Sequence, residues 1–463
     1  AEWLLRTMNE TEVLGRFIPE FGRIVAMMQF NMYHHYTVDE HTIRTIGILN
    51  RIERLEAEDQ HPVATEILKG NGINRRVLYT ALLLHDIGKG DARDHSEFGA
   101  EIAETVCPRL GLDEAECETV IWLVRNHLLM SDTAQKRDIN DPRTIDDFAG
   151  VVQSPQRLRL LIILTICDIR GVGPGVWNNW KAQLIRNLYW DTRDVLTGGA
   201  EMGTREHRVN AARRALVDVL EDRIPSSVKA ELTRHYPHYW LGLDTATHTI
   251  FAELAAQMGT APMTSRFLPD DANDATKACL YMSDHPGLFA RMAGAFAIAG
   301  ANVVDARSYT TNDGMATSVF WIQDRDGNAY AASRLPRLRR TIERTLKGEV
   351  IAATEIEERT RLRAREMQFT VPTRIVFDNE ASDLFTVIEV NARDRLGLLH
   401  ELTQTLADLN INIFSAIIAT YGEHAVDVFY VKDLFGHKIR SKSKRAQIER
   451  RLIQAVDATT SPA

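Results

Sequence analysis

The chain has 463 residues, 44% of them hydrophobic, which is ample for conventional cores and implies a globular protein of two to four domains. A formal charge of −8 and a pI near 6.0 exclude a generally basic nucleic-acid-binding face. The longest apolar stretch, Leu160 to Ile166, is far too short to span a bilayer, and the four scattered cysteines (Cys107, Cys117, Cys167, Cys279) contain no Cys-x-x-Cys pair, so neither a membrane segment, a zinc ribbon nor a disulfide framework is expected. No secretory pattern opens the chain, and a reduced, cytoplasmic setting follows as the expectation.

Residues 1–30 read as a helical lead-in; their start at Ala1-Glu-Trp-Leu-Leu, without an obvious cap or initiator methionine, suggests that something upstream is lacking. Residues 31–195 read as an all-α domain, with apolar residues at three- and four-residue spacing such as Ile43, Ile46, Leu49 and Ile52. Thr37-Val-Asp-Glu40 has the pattern of a capping box, which starts a helix and turns His41 toward its buried side. His41 is then either a ligand or a core histidine satisfied by a hydrogen bond.

His85-Asp86 closes the apolar run of Ala81-Leu-Leu-Leu-His-Asp-Ile-Gly-Lys-Gly90, so two metal-capable side chains sit where a buried helix emerges, and Gly88 and Gly90 let the backbone turn away. Lys89 adds a cation that suits a phosphate, or is simply solvated. His95, in His-Ser-Glu-Phe-Gly-Ala100, and His127, after Val124-Arg-Asn, are candidates for a second metal position. Asp168 interrupts the apolar helix Leu160 to Ile169, and a buried lone carboxylate costs several kcal/mol, so it needs a partner: a bound cation, or Arg170 or Arg159 in a structural ion pair. Metal-dependent hydrolysis requires such a ring of imidazoles and carboxylates with positions left open; Mn²⁺ or Mg²⁺, with Fe²⁺ also compatible, suits this donor set. His34, His35 and His61 lack comparable context, and Trp177 and Trp180 read as core.

Residues 196–273 read as a helical connector, broken at Pro225 and Pro237 and ending in a Pro-, Thr- and Asp-rich linker, Thr260 to Asn273. An internal repeat follows. Asp284-His-Pro-Gly-Leu-Phe289 aligns with Asp394-Arg-Leu-Gly-Leu-Leu399, and Gly300-Ala-Asn-Val-Val304 with Asn410-Ile-Asn-Ile-Phe414, at a shift of 110 residues; Asp324-Arg-Asp-Gly327 matches Asp433-Leu-Phe-Gly436 at 109, so one residue is lost near Asn312-Asp-Gly314. Each copy reads as a βαββαβ unit, the first over 274–350 and the second over 384–463, joined by a linker over 351–383.

The ordered series His41, His85-Asp86, His95, His127, Asp168 resembles the HD phosphohydrolase superfamily. That resemblance implies one metal on His41, His85, Asp86 and Asp168, and in some members a second on the intervening histidines. Each repeat resembles an ACT domain, an amino-acid-sensing module; Asp284, His285, Gly287, Leu288 and Asn302 match its binding loop and following strand in the first copy, and Asp394, Arg395, Gly397, Leu398 and Asn412 in the second. The loops His-Pro-Gly and Arg-Leu-Gly depart from the common Arg-Pro-Gly, so the two sites are expected to differ, and a Gly there also serves a plain turn. The expected architecture is thus a multidomain chain, an all-α HD domain followed by two α+β, ferredoxin-like ACT domains.

This order, with Tyr36-Thr-Val-Asp-Glu-His-Thr42, Leu84-His-Asp-Ile-Gly-Lys-Gly90 and the run from Asp168 to Lys181, resembles the bifunctional uridylyltransferase/uridylyl-removing family of bacterial nitrogen control. The resemblance implies metal-dependent removal of UMP from a tyrosine of the PII signalling protein, with Asp86 and Lys89 in catalysis and glutamine as the effector. That family's N-terminal nucleotidyltransferase motif is not found, so transferase activity is not expected of this chain. ACT domains often pair, either between chains in a homodimer or within one chain. The rivals are a guanosine alarmone hydrolase, which places other modules between its HD and ACT parts, and a non-catalytic amino-acid sensor, which would be expected to have lost some of the six ligands.

Overall fold

A computed structural model describes residues 1–28, 36–54, 61–70, 72–173, 176–198, 205–220, 225–361, 372–421 and 424–457. The chain forms two units, one of Ala1–Gln135 with Ile145–Ala200 and one of Lys136–Thr144 with Glu201–Ala463. His34 and His35 lie outside the described residues.

Among its described residues the first unit has helices and no strand. Its scaffold is the Pro155–Val172 helix, in which Leu160 to Ile166 are all buried. Against it pack the helices Val38–Glu53, Pro62–Lys69 and Arg75–Leu84, and His95–Arg109 and Glu114–Arg125 pair beside them. The Val38–Glu53 helix begins where the capping-box pattern predicts, but the box does not form: Thr37 makes no side-chain cap bond. Its two acids are used in tertiary contacts instead, since Asp39 accepts from Asn9 Nδ2 at 2.7 Å and from the Ala26 amide, and Glu40 meets Arg6 at 2.5 Å. Among the described residues no helix is long and apolar enough to cross a membrane.

The second unit is built on one antiparallel eight-stranded sheet: β1 (Met263–Asp270), β2 (Ala275–Ser283), β3 (Asn302–Thr310), β4 (Met315–Gln323), β5 (Arg374–Asp378), β6 (Thr386–Arg393), β7 (Ile411–Tyr421) and β8 (His424–Asp433), in the spatial order β1-β2-β4-β3-β7-β8-β6-β5. Each half has the four positions of the ferredoxin-like sheet, filled in a different chain order. Each copy runs ββαββα, with the outer strand supplied before the repeat rather than after it. The segment read as a linker, Thr260 to Asn273, is therefore β1, and the 351–383 linker likewise holds the Ala352–Arg361 helix and β5. The misreading has a physical source. Both are edge strands, where Pro269 costs no central ladder bond and polar residues are tolerated. Pro225 and Pro237 do not break helices but open them, each at the first helical position, where the missing N–H has no partner to lose.

The two halves join through β3 and β7, where Ala306 pairs with Ala416 and the flanking pairs are Asp305 with Ile417 and Arg307 with Ser415. Ala416 is the repeat equivalent of Ala306, so a pseudo-two-fold axis passes through this pair and the copies pair within one chain. The same axis relates bulges at Val303/Asp305 and Ile413/Ser415. It also relates the helices Leu288–Ala299 and Leu398–Asp408, where His400 Nδ1–H donates to the carbonyl of Ala290 at 2.9 Å. Gly294 is required there, because a Cβ would lie 2.5 Å from that of Ala352 and 3.0 Å from His400 Nδ1. The Lys136–Thr144 segment belongs to the sheet unit: the Asp138 amide donates to Tyr430 Oη at 2.7 Å and Ser382 Oγ to Asp141 at 2.5 Å.

Asp305 sits beside Arg307 at 3.2 Å but is only 5% exposed, and burial, outweighing Arg307, pushes its carboxyl up to about 6. Its neutral form is favoured in the fold, so its contribution is whole below the unfolded carboxyl value and is lost as pH rises through about 6. The shift corresponds to about 3 kcal/mol. Asp305→Asn should remove the fall in unfolding free energy between pH ~4 and ~6 in urea titrations; an unchanged slope in the variant would refute this account of Asp305.

Candidate metal centre

His41 is brought in by the first turn of the Val38–Glu53 helix, His85 and Asp86 by the turn that ends Arg75–Leu84, and Asp168 by the last turns of Pro155–Val172. His95 opens the His95–Arg109 helix, which Asp94 caps by accepting from the Ser96 and Glu97 amides. His127 follows the Glu114–Arg125 helix. The six predicted ligands converge.

His41 Nε2 lies 3.0 Å from Asp168 Oδ1 and 3.6 Å from Asp86 Oδ2, and His85 Nε2 lies 3.4 Å from Asp86 Oδ2 and 3.6 Å from Asp168 Oδ1. The other carboxylate oxygen, Asp86 Oδ1, faces His127 at 3.8 Å and His95 at 4.0 Å. Two ligand groups result, His41 with His85 and Asp86, and Asp86 with His95 and His127, and they share Asp86. Ligands on neighbouring vertices around one ion with bonds of about 2.1 Å stand roughly 3.0–3.5 Å apart, so the first group has the spacing of a coordination shell.

Backbone carbonyls fix the ring orientations. His85 Nδ1–H donates to Leu82 O at 2.8 Å and His127 Nδ1–H to Val124 O at 2.7 Å, which leaves each Nε2 aimed inward with its lone pair. His41 Nε2 then stands 3.2 Å from His85 Nε2 and 3.0 Å from Asp168 Oδ1, a spacing that either a shared proton or a metal ion can bridge. Burial would lower the His85 imidazole, but Asp86 and then Asp168 push it up to about 10; in the absence of a metal a proton is held instead. Burial would raise Asp86 and Asp168, yet Lys89 with His85 holds the first, and His41 with His85 the second, below the usual carboxylate range. Burial, then His85, pushes His127 down to about 4, and burial lowers His95, so both offer neutral imidazoles at pH 7.

Contacts bear on each of the alternatives left open by the sequence. Asp168 is not paired with arginine: Arg170 bonds His61 Nε2 and Arg159 bonds Tyr189. His41 is 2% exposed and its Nδ1 has no hydrogen-bond partner, unlike a satisfied core histidine. Lys89 is not a freely solvated lysine; its Nζ lies 2.8 Å from Asp86 Oδ2. Trp177 packs edge-on against His61.

Three glycines carry roles the sequence did not reveal. Gly90 has the positive φ, 86°, expected of the turn, whereas Gly88 is needed for contact: a Cβ there would meet His95 O at 2.2 Å and the Gly99 amide at 2.6 Å. Gly99, four residues after His95, completes that approach. Gly171, one turn beyond Asp168, faces His41, where a Cβ would stand 3.0 Å from Cε1 and 3.1 Å from Nδ1. Asp168 is itself only partly buried, its side chain 14% exposed, and a small residue three positions after such a helical aspartate is the signal that could have marked Gly171.

The effector loops keep their expected form, with Gly287 at φ 79° and Gly397 at φ 87° each preceding a helix without a side-chain cap. Asp284 accepts from Thr310 Oγ1 at 2.5 Å, and His285 Nδ1 lies 3.1 Å from Pro286 O. Leu288 and Leu398 are buried in the helix-side core, and Asn302 and Asn412 stand exposed at the starts of β3 and β7. Arg395 folds back onto Glu401, at 2.8 and 2.5 Å, and onto the carbonyl of Ala455.

The HD domain family matches residues 38–169, the span that holds all six candidate residues, and the ACR family N-terminal ACT domain matches residues 381–458. The chain thus contains an HD domain over residues 38–169 and an ACT domain over residues 381–458. It is 59% identical over 98% of its length to the bifunctional uridylyltransferase/uridylyl-removing enzyme of Cereibacter sphaeroides, 57% over 98% to that of Ruegeria pomeroyi and 48% over 98% to that of Azospirillum brasilense. It covers 49%, 50% and 49% of those proteins, about half their length.

Gly171→Ala tests the fit. Helix propensity alone favours alanine by about 1 kcal/mol, but the new Cβ would meet Thr45 Cγ2 at 2.6 Å and His41 at 3.0 Å, and displacement of His41 should raise the Kd for Mn²⁺ at least about tenfold. Unchanged affinity in isothermal titration would show that Gly171 does not set the position of His41.

Proposed function

We propose that this chain is a metal-dependent phosphodiester hydrolase that releases UMP from a uridylylated tyrosine of the PII signalling protein, with glutamine at the ACT repeats as effector. The observation that carries the chemistry is Asp86, whose two oxygens face two separate sets of imidazoles. His41, His85, Asp86 and Asp168 would hold one divalent ion, Mn²⁺ or Mg²⁺, and Asp86, His95 and His127 a second. Such ions lower the pKa of bound water and polarise phosphoryl oxygens.

The residues themselves supply the rest. Asp168 and Asp86 hold His41 and His85 with Nε2 inward, and the Leu82 and Val124 carbonyls keep the tautomers fixed, so little reorganisation is needed on binding. His95 is 28% exposed at the side chain against 1% for His127, which opens the site on the His95 side and gives a phosphodiester its approach. Lys89, already at Asp86, is placed to offset negative charge on the phosphoryl group.

The names of the relatives, and identity over nearly the whole chain, support uridylyl removal over alarmone hydrolysis. Convergence of all six ligands speaks against a decayed, purely sensory HD domain. Four free cysteines, three of them buried, accord with a reducing cytoplasm.

Release of UMP from uridylylated PII should require Mn²⁺ or Mg²⁺ and respond to glutamine. His85→Ala and Asp86→Ala should each lower it by at least about a thousandfold, some 4 kcal/mol of transition-state stabilisation, with helical circular dichroism unchanged. A metal-loaded chain that released no UMP would sink the proposed reaction; near-normal release by either variant would sink the ligand assignment.

A further inference from the structure

His85 and His127 are each oriented by a backbone carbonyl, but His41 is not: among the described residues its Nδ1 has no hydrogen-bond partner, although the ring is buried. An imidazole without such an outer bond is placed by its backbone and the walls around it, so His41 depends on what fixes the start of the Val38–Glu53 helix. The helix does not fix its own start. Thr37 makes no side-chain cap bond, and the first helical amide, that of Val38, donates instead to Met27 O at 3.0 Å.

The turn Ile24–Met27, closed by the Met27 amide on Ile24 O at 3.2 Å, precedes the span that the HD family matches, yet it holds that helix twice. While Met27 O receives the Val38 amide, the Ala26 amide donates to Asp39 Oδ1 at 3.2 Å, and Asp39 is 6% exposed. Asn9 Nδ2 donates to the other carboxylate oxygen at 2.7 Å. Ala26 has φ 54°, a left-handed conformation unusual for a residue with a Cβ, and these bonds hold it there. The Met27 side chain then crosses to the other ligand segment: it lies against Gly90, where a Cβ would meet its Cε and stand 3.0 Å from its Sδ. Gly90 ends the turn that carries His85, Asp86 and Lys89. One short turn thus touches both segments whose imidazoles face each other at 3.2 Å, His41 on one and His85 on the other.

The Glu2–Glu10 helix backs this arrangement without burying any of its own residues. Arg6 meets Glu40 at 2.5 Å and Glu2 meets Arg51 at 3.3 Å, but of all these partners only Asp39 is buried. Solvated ion pairs contribute little, so Asp39 is where the arrangement should fail.

We propose that Asp39 and Met27 are positioning residues of the metal centre: through the Ile24–Met27 turn they hold the first turn of the Val38–Glu53 helix against the His85–Gly90 turn, and so set His41 beside His85 and Asp86. The inference rests on the metal reading given above and adds to it a clamp supplied by residues that precede the HD span.

The test uses the full chain with His95→Ala and His127→Ala as background, which leaves the His41 position, and Co²⁺ as the probe, whose visible absorption reports the ligands around it. In titration calorimetry Asp39→Ala should raise the Kd for Co²⁺ at least about tenfold over that background. At saturating Co²⁺, well below the thermal midpoint, its absorption band should move toward that of His41→Ala, a change that mere loss of stability does not produce. Asn9→Asp sets two carboxylates against each other and should act in the same way. Asn9→Asp combined with Asp39→Asn exchanges the partners, and should return affinity to within about threefold of the background and restore its band. If Asp39→Ala does not fold, the Asn9→Asp single and the exchanged pair decide the matter. An unmoved band with affinity within about twofold in Asp39→Ala or Asn9→Asp overturns the positioning role alone. A background chain that takes up no Co²⁺ overturns the metal reading together with it.

Discussion

The shared carboxylate of Asp86 is the constraint around which the helical unit is arranged. Its two oxygens face opposite sets of imidazoles, so the helix ends that carry His41, His85, His95, His127 and Asp168 must all meet within a few ångströms of one buried group. Such a cluster is expensive to assemble: Asp86 and several imidazoles are withdrawn from water and Asp168 is largely so, and the ring nitrogens of His41 and His85 stand 3.2 Å apart. The segments that carry the cluster approach closely at glycines: a Cβ on Gly88 would meet the backbone of His95 and Gly99, and one on Gly171 the side chains of Thr45 and His41. The HD domain and the convergence of these donors suggest divalent metal binding at this cluster.

The sheet unit depends on symmetry instead. One pair of alanines on the β3–β7 seam fixes the relation of the two repeats, and their small side chains let the seam close while helices meet above it through Gly294 and His400. Within this symmetric frame the halves differ at facing positions, among them Ser308 with Ser318 in one half and Ile418 with Asp427 in the other.

Much of this was legible in the sequence because it rests on residue types in a fixed order. The His-Asp pair at the end of an apolar run, and the aspartate inside an apolar helix, announce buried charge, and the repeat announces two like domains. What was not legible depends on contacts between distant segments. The Thr37–Glu40 pattern correctly started a helix, yet Asp39 and Glu40 answered to Asn9 and Arg6 rather than to the helix end. Thr260 to Asn273 read as a linker because edge strands accept proline and polar residues, and only the pairing with β2 shows that it completes a sheet. Gly88 looked like a turn residue and proved to be a contact residue.

Metal content is the most direct test of the central claim that Asp86 joins two ion positions. After equilibrium dialysis against Mn²⁺ and removal of free metal, the account predicts two ions per chain in the parent, one in His95→Ala combined with His127→Ala, and none retained by Asp86→Ala. A single ion in the parent, or two ions kept when Asp86 is replaced, would contradict it.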